Sequence, residues 1–490
     1  MTHLLSFIIF LPLLGGFGLF VIPNKNVALI RGWSLLVSIA TFATSLSLYF
    51  NYSGSSFSFV ETLSWIPNWN IQYKVGLDGI SLLLFLLTTL TVPLAILFSW
   101  GSVTRREKEY YFFILLLETA MLGTFAALDV FLFYVFWESM LIPMYFLIGI
   151  WGGERRIYAT LKFFIYTMLG SVLMLVAIIY LYFQAGQTFD YASWLTNIHL
   201  SSGVETILFA AFALAFAIKV PMFPLHTWLP DAHVEAPTAG SVLLAGILLK
   251  MGAYGFIRFN LPLFPQALFQ FQPLLITLAV VGIVYGALVS MVQPDIKKLI
   301  AYSSVSHMGF VMLGLMSLNS ISVTGAVYQM LNHGVSTGAL FLLVGMIYDR
   351  RHSRQIADFG GIAKVMPLYT VLFLVVTFSS IALPGTNGFV GEFLILLGSY
   401  QSFPVATAIA ASGVILAAIY MLWMVQRVFF GPLTQNENKK LKDIGFKEVC
   451  VLLPLIVLIF WMGLHPKPFF EKMSGSVNVL LDQVFVTLRK

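Results

Sequence analysis

Six ionisable residues stand inside stretches that are otherwise almost entirely apolar. They are Glu138 in FYVFWESMLIP, Lys219 and Lys250, His307 in YSSVSHMGF, His333 in QMLNHGVSTG and Glu392 in NGFVGEF. Charged side chains at the centre of a bilayer cost about 2.5–3.5 kcal/mol each, so the four charged members alone represent about 10–14 kcal/mol if left unpaired. Such residues persist when they pair, are hydrated, or are used. The set suits proton transfer. Burial can shift a lysine by about 3–5 pKa units and a nearby carboxylate shifts it back, so a change in the Glu138–Lys219 distance would switch that lysine between holding and releasing a proton. Imidazoles relay protons through two ring nitrogens with a pKa near neutrality. Glu392 is placed to be a terminal group. Taken singly, each charged residue could instead be a structural ion pair between helices, and each histidine an interhelical hydrogen-bond donor.

Lys219 and Lys250 bracket the stretch AIKVPMFPLHTWLPDAHVEAPTAGSVLLAGILLK, residues 217–250. An apolar run breaks at Pro221 and Pro224 and crosses a polar passage with His226, Asp231, His233 and Glu235. A second apolar run follows. Proline inside a spanning helix frees backbone groups that must be satisfied by protein or a water-lined cavity, and broken helices are how transporters build ion sites. His226 and His233 are secondary candidates, with the alternative that they only tie down the loop. Glu118, in ILLLETAM, is a third. Asp129 is expected to be a helix cap.

The elements that must position these groups follow from composition. Of 490 residues, 59% are hydrophobic and 10% charged, with a mean hydropathy of +0.90, against about 25% charged in soluble domains. The expected fold is an all-α polytopic membrane protein. Apolar runs of about 20 residues predict about fourteen spans: 4–23 (a retained first span rather than a signal peptide), 31–50, 78–100, 110–127, 130–150, 162–184, 204–230, 237–258, 271–291, 297–317, 322–346, 367–400, 406–430 and 448–465. Those at 204–230 and 367–400 are expected to be broken, the second at LPGTNGFVG. A tail from His465 is amphipathic and too polar to span. The broken spans suggest two inverted five-helix repeats, over 110–258 and 271–430, after N-terminal helices 1–109 and before a C-terminal helix and tail 431–490. Trp65, Trp69 and Trp194 are expected at the interfaces.

Lys and Arg cluster in alternate loops, among them Arg105, Arg106 and Lys108; Arg155 and Arg156; Lys297 and Lys298; Arg350, Arg351 and Arg354. By the positive-inside rule this puts both termini on the outer side; the basic tail with Arg489 and Lys490 disagrees mildly. A bacterial inner membrane is favoured. The charge of +6 is accounted for mostly by this topology and calls for no nucleic acid. The single cysteine, Cys450, allows no internal disulfide and no thiolate cluster for iron–sulfur or zinc. No GxGxxG follows a strand and no Walker A motif occurs, so no cofactor or metal is expected in this chain. Haem held between His307 and His333 would leave the lysines unexplained.

At FWE (136–138), KVPMFPLHTWLPDAHVEAPTAGSVLLAGILLK (219–250), DIKKLIAYSSVSHMG (295–309) and LPGTNGFVGEF (383–393), the chain resembles the antiporter-like membrane subunits of proton-pumping NADH:quinone oxidoreductase. That family is shared with multisubunit cation/proton antiporters and membrane-bound hydrogenases. The resemblance covers the chain from about the third span onward. Large subunits of the family carry lysine or glutamate at the second broken helix, and Glu392 is similar to the glutamate type. The resemblance implies that Glu138 modulates Lys219, the proton-holding centre; that Lys250, His307 and His333 form a hydrated axis; and that Glu392 links it to the outer side. It also implies a cofactor-free chain, with NADH, FMN, iron–sulfur clusters and quinone in partner subunits. Neighbouring antiporter-like subunits, the lipid bilayer and protons are the implied partners. Two alternatives remain at this point: a subunit of a cation/proton antiporter or hydrogenase complex, or a passive membrane scaffold whose buried charges are structural.

Overall fold

The structure is a computed structural model describing residues 3–54 and 56–488; Arg489 and Lys490 lie outside the described residues. Long apolar runs can satisfy their backbone groups without water only as helices, and helices dominate the chain. In order they are α1 (Leu4–Gly18), α2 (Val27–Asn51), α3 (Gly79–Ser102), α4 (Glu107–Ala126), α5 (Val130–Ser139), α6 (Leu141–Trp151) and α7 (Arg156–Gln184). Then come α8 (Tyr191–Asn197), α9 (Ser202–Lys219), α10 (Trp228–Glu235), α11 (Thr238–Leu263), α12 (Pro265–Met291), α13 (Ile296–Met316) and α14 (Ser320–Arg351). The last are α15 (Pro367–Ser380), α16 (Asn387–Ser402), α17 (Pro404–Phe429), α18 (Phe446–Leu464) and α19 (Lys467–Leu488). Among the described residues, thirteen helical segments are long and apolar enough to cross a membrane, with α5 and α6 together forming one. α15 and α16 lie over the remaining expected span, 367–400, with α15 apolar but shorter than the others and a break between Ser380 and Asn387.

Both expected breaks are present. α9 stops at Lys219 and α10 starts at Trp228; α15 stops at Ser380 and α16 starts at Asn387. Two interruptions were not expected. The span over 130–150 divides at Met140 into α5 and α6, and α11 contains π-helical turns at Leu244–Leu248 and Phe256–Asn260. Both have weaker local signatures: Pro143, three residues after Met140, leaves the Ser139 carbonyl without its helical amide, Gly246 lies inside the first π-turn and Pro262 follows the second.

The bundle has an inside and a rim. Every residue in the apolar window of α11 and of α14 is buried, and 94% of that of α13, against 28% for α2 and α18. The helices that carry Lys250, His307 and His333 are therefore the innermost ones. The two ends differ. One gathers the basic loops, where Arg31 pairs with Glu107 at 2.6 Å, Arg350 with Glu448 at 2.6 Å and Arg354 with Asp295 at 3.2 Å. The opposite end carries an antiparallel hairpin that hydropathy did not reveal, β1 (Ser58–Ile66) and β2 (Ile71–Leu77). It also carries the amphipathic α19. Backbone approach is so close there that a Cβ on Gly79 would lie 1.8 Å from the Lys472 carbonyl oxygen, so only glycine fits.

Asp129 caps α5 as expected, accepting from the Leu132 amide at 3.0 Å and from the Gln72 amide at 3.0 Å. Burial pushes its carboxyl up to about 6, while these amides pull the other way. Trp65 and Trp69 are exposed, but Trp194 is a correction: it is buried in the core and donates to the Thr188 carbonyl at 2.7 Å. α8 is a short connecting helix that turns its tryptophan inward.

Candidate functional site: a buried polar axis

Lys219 ends α9 because Pro221 and Pro224 cannot continue a helix. Lys219 is thus the last residue of α9, the end of a helix that favours a cation. Across the break, Trp228 Nε1 donates to the Ile218 carbonyl at 2.9 Å and ties the two half-helices together. Lys219 is buried, its Nζ lies 4.6 Å from the Trp137 ring centroid, and it has no hydrogen-bond partner. A tryptophan face is a good seat for a desolvated cation. Glu138, next in sequence to Trp137, is half-buried and within electrostatic reach of Lys219, with Ser171 beside it. The two groups are near but make no ion-pair contact. Tryptophan occupies the place over the amine.

Lys250 lies between the two π-turns of α11 and is fully buried. Its Nζ donates to the Ala245 carbonyl, inside the first π-turn, and lies 2.6 Å from His333 Nδ1. The rings of His333 and His307 are 5.9 Å apart, and His307 Nδ1 lies 2.9 Å from Glu392 Oε1. Gln329 Nε2 donates to the same carboxylate oxygen at 3.0 Å. The four residues expected on the axis after Lys219 therefore stand in order as two bonded pairs, Lys250–His333 and His307–Glu392, whose facing imidazoles make no hydrogen bond to each other. The space beside the two rings is a cavity of about 10 Å3, room for about one water. A haem macrocycle does not fit it, and each imidazole already has a partner.

A polar layer around the second break was missed from sequence. Asn332 Nδ2 donates to the Asn387 carbonyl at 2.8 Å, and the Ser336 and Ser379 hydroxyls are 2.6 Å apart. Gln329, Asn332, His333 and Ser336 follow the i, i+3, i+4, i+7 spacing of one helix face, which is the signal that could have found them. Lys297 was also missed. It is buried at the basic end, donates to the Ala236 carbonyl at 2.6 Å, and lines a cavity of about 280 Å3 with Arg105, Trp151, Glu235, Thr238 and Arg354.

The secondary candidates separate. His233 is buried against the Phe341 ring at 4.6 Å, within electrostatic reach of both Lys297 and Lys250. His226 sits among the rings of Phe223, Tyr285 and Tyr302, near the Lys162–Asp231 ion pair of 2.7 Å. All four ring nitrogens lack a hydrogen-bond partner among the described residues, so neither side chain ties down its loop by hydrogen bonding. Glu118 is buried on α4 with both oxygens unpartnered, and it joins none of the contacts of the axis. Among the described residues, no group of three or more His, Cys, Asp or Glu could hold a metal ion.

Residues 127–420 match the family model described as NADH:quinone oxidoreductase/Mrp antiporter, transmembrane. The chain is 46% identical over 481 residues to NADH-ubiquinone oxidoreductase chain 4 of Marchantia polymorpha, covering 98% of this chain and 97% of that protein. It is 47% identical over 508 residues to NADH-quinone oxidoreductase subunit M of Rhodobacter capsulatus, covering 100% and 98%. A chain of the solved respiratory complex I from Thermus thermophilus with bound NADH superposes with a TM-score of 0.90 at 34% identity, covering 98% and 99%.

Proposed function

The chain belongs to the NADH:quinone oxidoreductase/Mrp antiporter transmembrane family, and from that premise we propose that its buried axis is the path by which it moves protons. It is a multi-pass, proton-translocating membrane subunit, of the kind named subunit M or chain 4, in an NADH:quinone oxidoreductase. Its partners are other membrane subunits of that complex. The redox centres (FMN, iron–sulfur clusters and the NADH and quinone sites) are assigned to partner subunits.

The observation that carries the path is the succession of Lys250, His333, His307 and Glu392, bonded at its two ends at 2.6 and 2.9 Å, with one step between the histidine rings, 5.9 Å apart, that no hydrogen bond spans. Every member can gain and lose a proton. A proton shared between Lys250 and His333 passes to the His307 side by rotation of one imidazole or through the single water-sized space beside the rings. Glu392, sixth residue of a half-helix, then holds it against the Gln329 amide. On the loading side, the cavity at the basic end reaches Lys297, and His233 stands between Lys297 and Lys250. Lys219 and Glu138 act as the switch. When Glu138 approaches, Lys219 keeps its proton; when it withdraws, Lys219 is left with only the Trp137 face and gives the proton up.

The repeats over 110–258 and 271–430 each contribute one broken helix to this arrangement. The basic end faces the inner side of a bacterial plasma membrane, both termini lie outside, and the rim helices face lipid and neighbouring antiporter-like subunits. Lys250→Met in the assembled complex tests the path. Proton uptake into vesicles should fall at least tenfold per electron transferred; an unchanged ratio would remove Lys250 from it.

A further inference from the structure

Lys250, Tyr254 and Arg258 recur every fourth residue on α11, so they stack along one face toward the end of the bundle opposite the basic loops. Arg258 is buried and ion-paired to Asp78, and its Nε donates to the Tyr254 hydroxyl at 3.0 Å. That hydroxyl donates to the Phe125 carbonyl at 2.9 Å. Asp78 is itself fixed as the cap of α3, accepting from the Ser81 amide at 2.9 Å. The guanidinium carbon lies 4.9 Å from the Phe57 ring centroid and 5.0 Å from that of Tyr254. The cluster therefore clamps α11 to α3, α4 and the loop before the hairpin. The cavity beside it, lined by Asp129, Phe133 and Tyr191 among others, measures about 10 Å3, room for about one water.

Three features oppose proton passage here. Arginine cannot be deprotonated in a protein, so unlike lysine or histidine it cannot relay. A fixed cation repels protons, as it does in selective pores. One water cannot form a wire. We propose that Arg258, held by Asp78 and Tyr254, is an electrostatic seal that closes the end of the bundle directly beyond Lys250. It forces a proton on Lys250 sideways to His333 rather than straight out. This rests on the path proposed above, and it explains why the relay must cross from α11 to α14 before it can exit.

The test uses the complete complex in sealed vesicles containing a trapped pH-sensitive dye, with an imposed pH gradient and no NADH. Passive flux without turnover reads the seal alone, whereas the pumping ratio reads the path, so failure of one is distinguishable from failure of the other. Arg258→Met, on preparations matched for electron-transfer rate, should leak at least tenfold faster than the parent. Arg258→Lys, still cationic, should leak less than Arg258→Met. Parental flux in Arg258→Met, or equal leak in the Met and Lys variants, would overturn the proposal. If Arg258→Met does not assemble, Tyr254→Phe removes the hydrogen bond to Nε while leaving the ion pair. It should leak several-fold faster, and a tight Tyr254→Phe complex would overturn the seal.

Discussion

Lys250 Nζ and His333 Nδ1 lie 2.6 Å apart, deep inside the bundle, with the Ala245 carbonyl as the amine's other partner. At that distance one proton serves two bases: an ammonium donating to a neutral imidazole, or an amine accepting from an imidazolium. Two adjacent buried cations would repel strongly in so poorly solvated a site. In the proposed path the pair is a joint proton store, placed between the innermost helices α11 and α14.

His333→Gln keeps a hydrogen-bonding side chain of similar reach but cannot carry the proton on. Proton uptake per electron should fall at least tenfold while the complex still assembles. His333→Phe should in addition impair assembly, since it leaves the buried Lys250 amine short of a partner; an unpaired buried polar group costs about 1–3 kcal/mol, more if charged. Equal behaviour of the two variants in both assays would argue that His333 only packs.

Glu392→Gln preserves shape and can still meet Gln329 and His307 by hydrogen bonds. Proton release to the bulk phase should slow at least tenfold, with Glu392→Asp retaining part of the rate because the carboxylate survives on a shorter arm. Flash-initiated turnover with an external pH indicator measures this directly. A Gln variant that releases protons at the parental rate would take Glu392 off the path.

Much of this was legible in the sequence, because a charge in an apolar run is both costly and conspicuous. Lys219, Lys250, His307, His333 and Glu392 stood out on that ground, and prolines or glycines marked the breaks that hold Lys219 and Glu392. Uncharged polar groups gave weaker signals. Gln329, Asn332 and Ser336 are ordinary residues whose role comes from sharing a face with His333. The π-turns around Lys250 were harder to read, because Gly246 and Pro262 beside them are of kinds that spanning helices commonly carry. The seat of Lys219 over Trp137 was hidden as well, because the eye goes to the adjacent Glu138, the residue with the opposite charge.

Close packing at the first break gives a stability prediction. A Cβ on Gly252 would lie 2.7 Å from the Phe216 carbonyl oxygen and 2.8 Å from the Val220 nitrogen, both backbone atoms at the end of α9. Gly252→Ala should cost about 1–3 kcal/mol as overpacking pushes the helices apart. Gly282→Ala, in open space on α12, should be neutral or mildly stabilising through helix propensity. Retention of the subunit in complexes heated in detergent reads both. Similar losses in the two variants would contradict the packing account.

The most direct test of the central claim is Lys219→Met in the assembled complex, scoring electron transfer and proton uptake into vesicles on one preparation. Methionine keeps the volume and the contact with Trp137 but removes the proton. The account predicts normal assembly with collapse of both pumping and coupled turnover. If both rates survive, the lysine at the end of the broken helix is structural, and the switch assigned to Lys219 and Glu138 is contradicted.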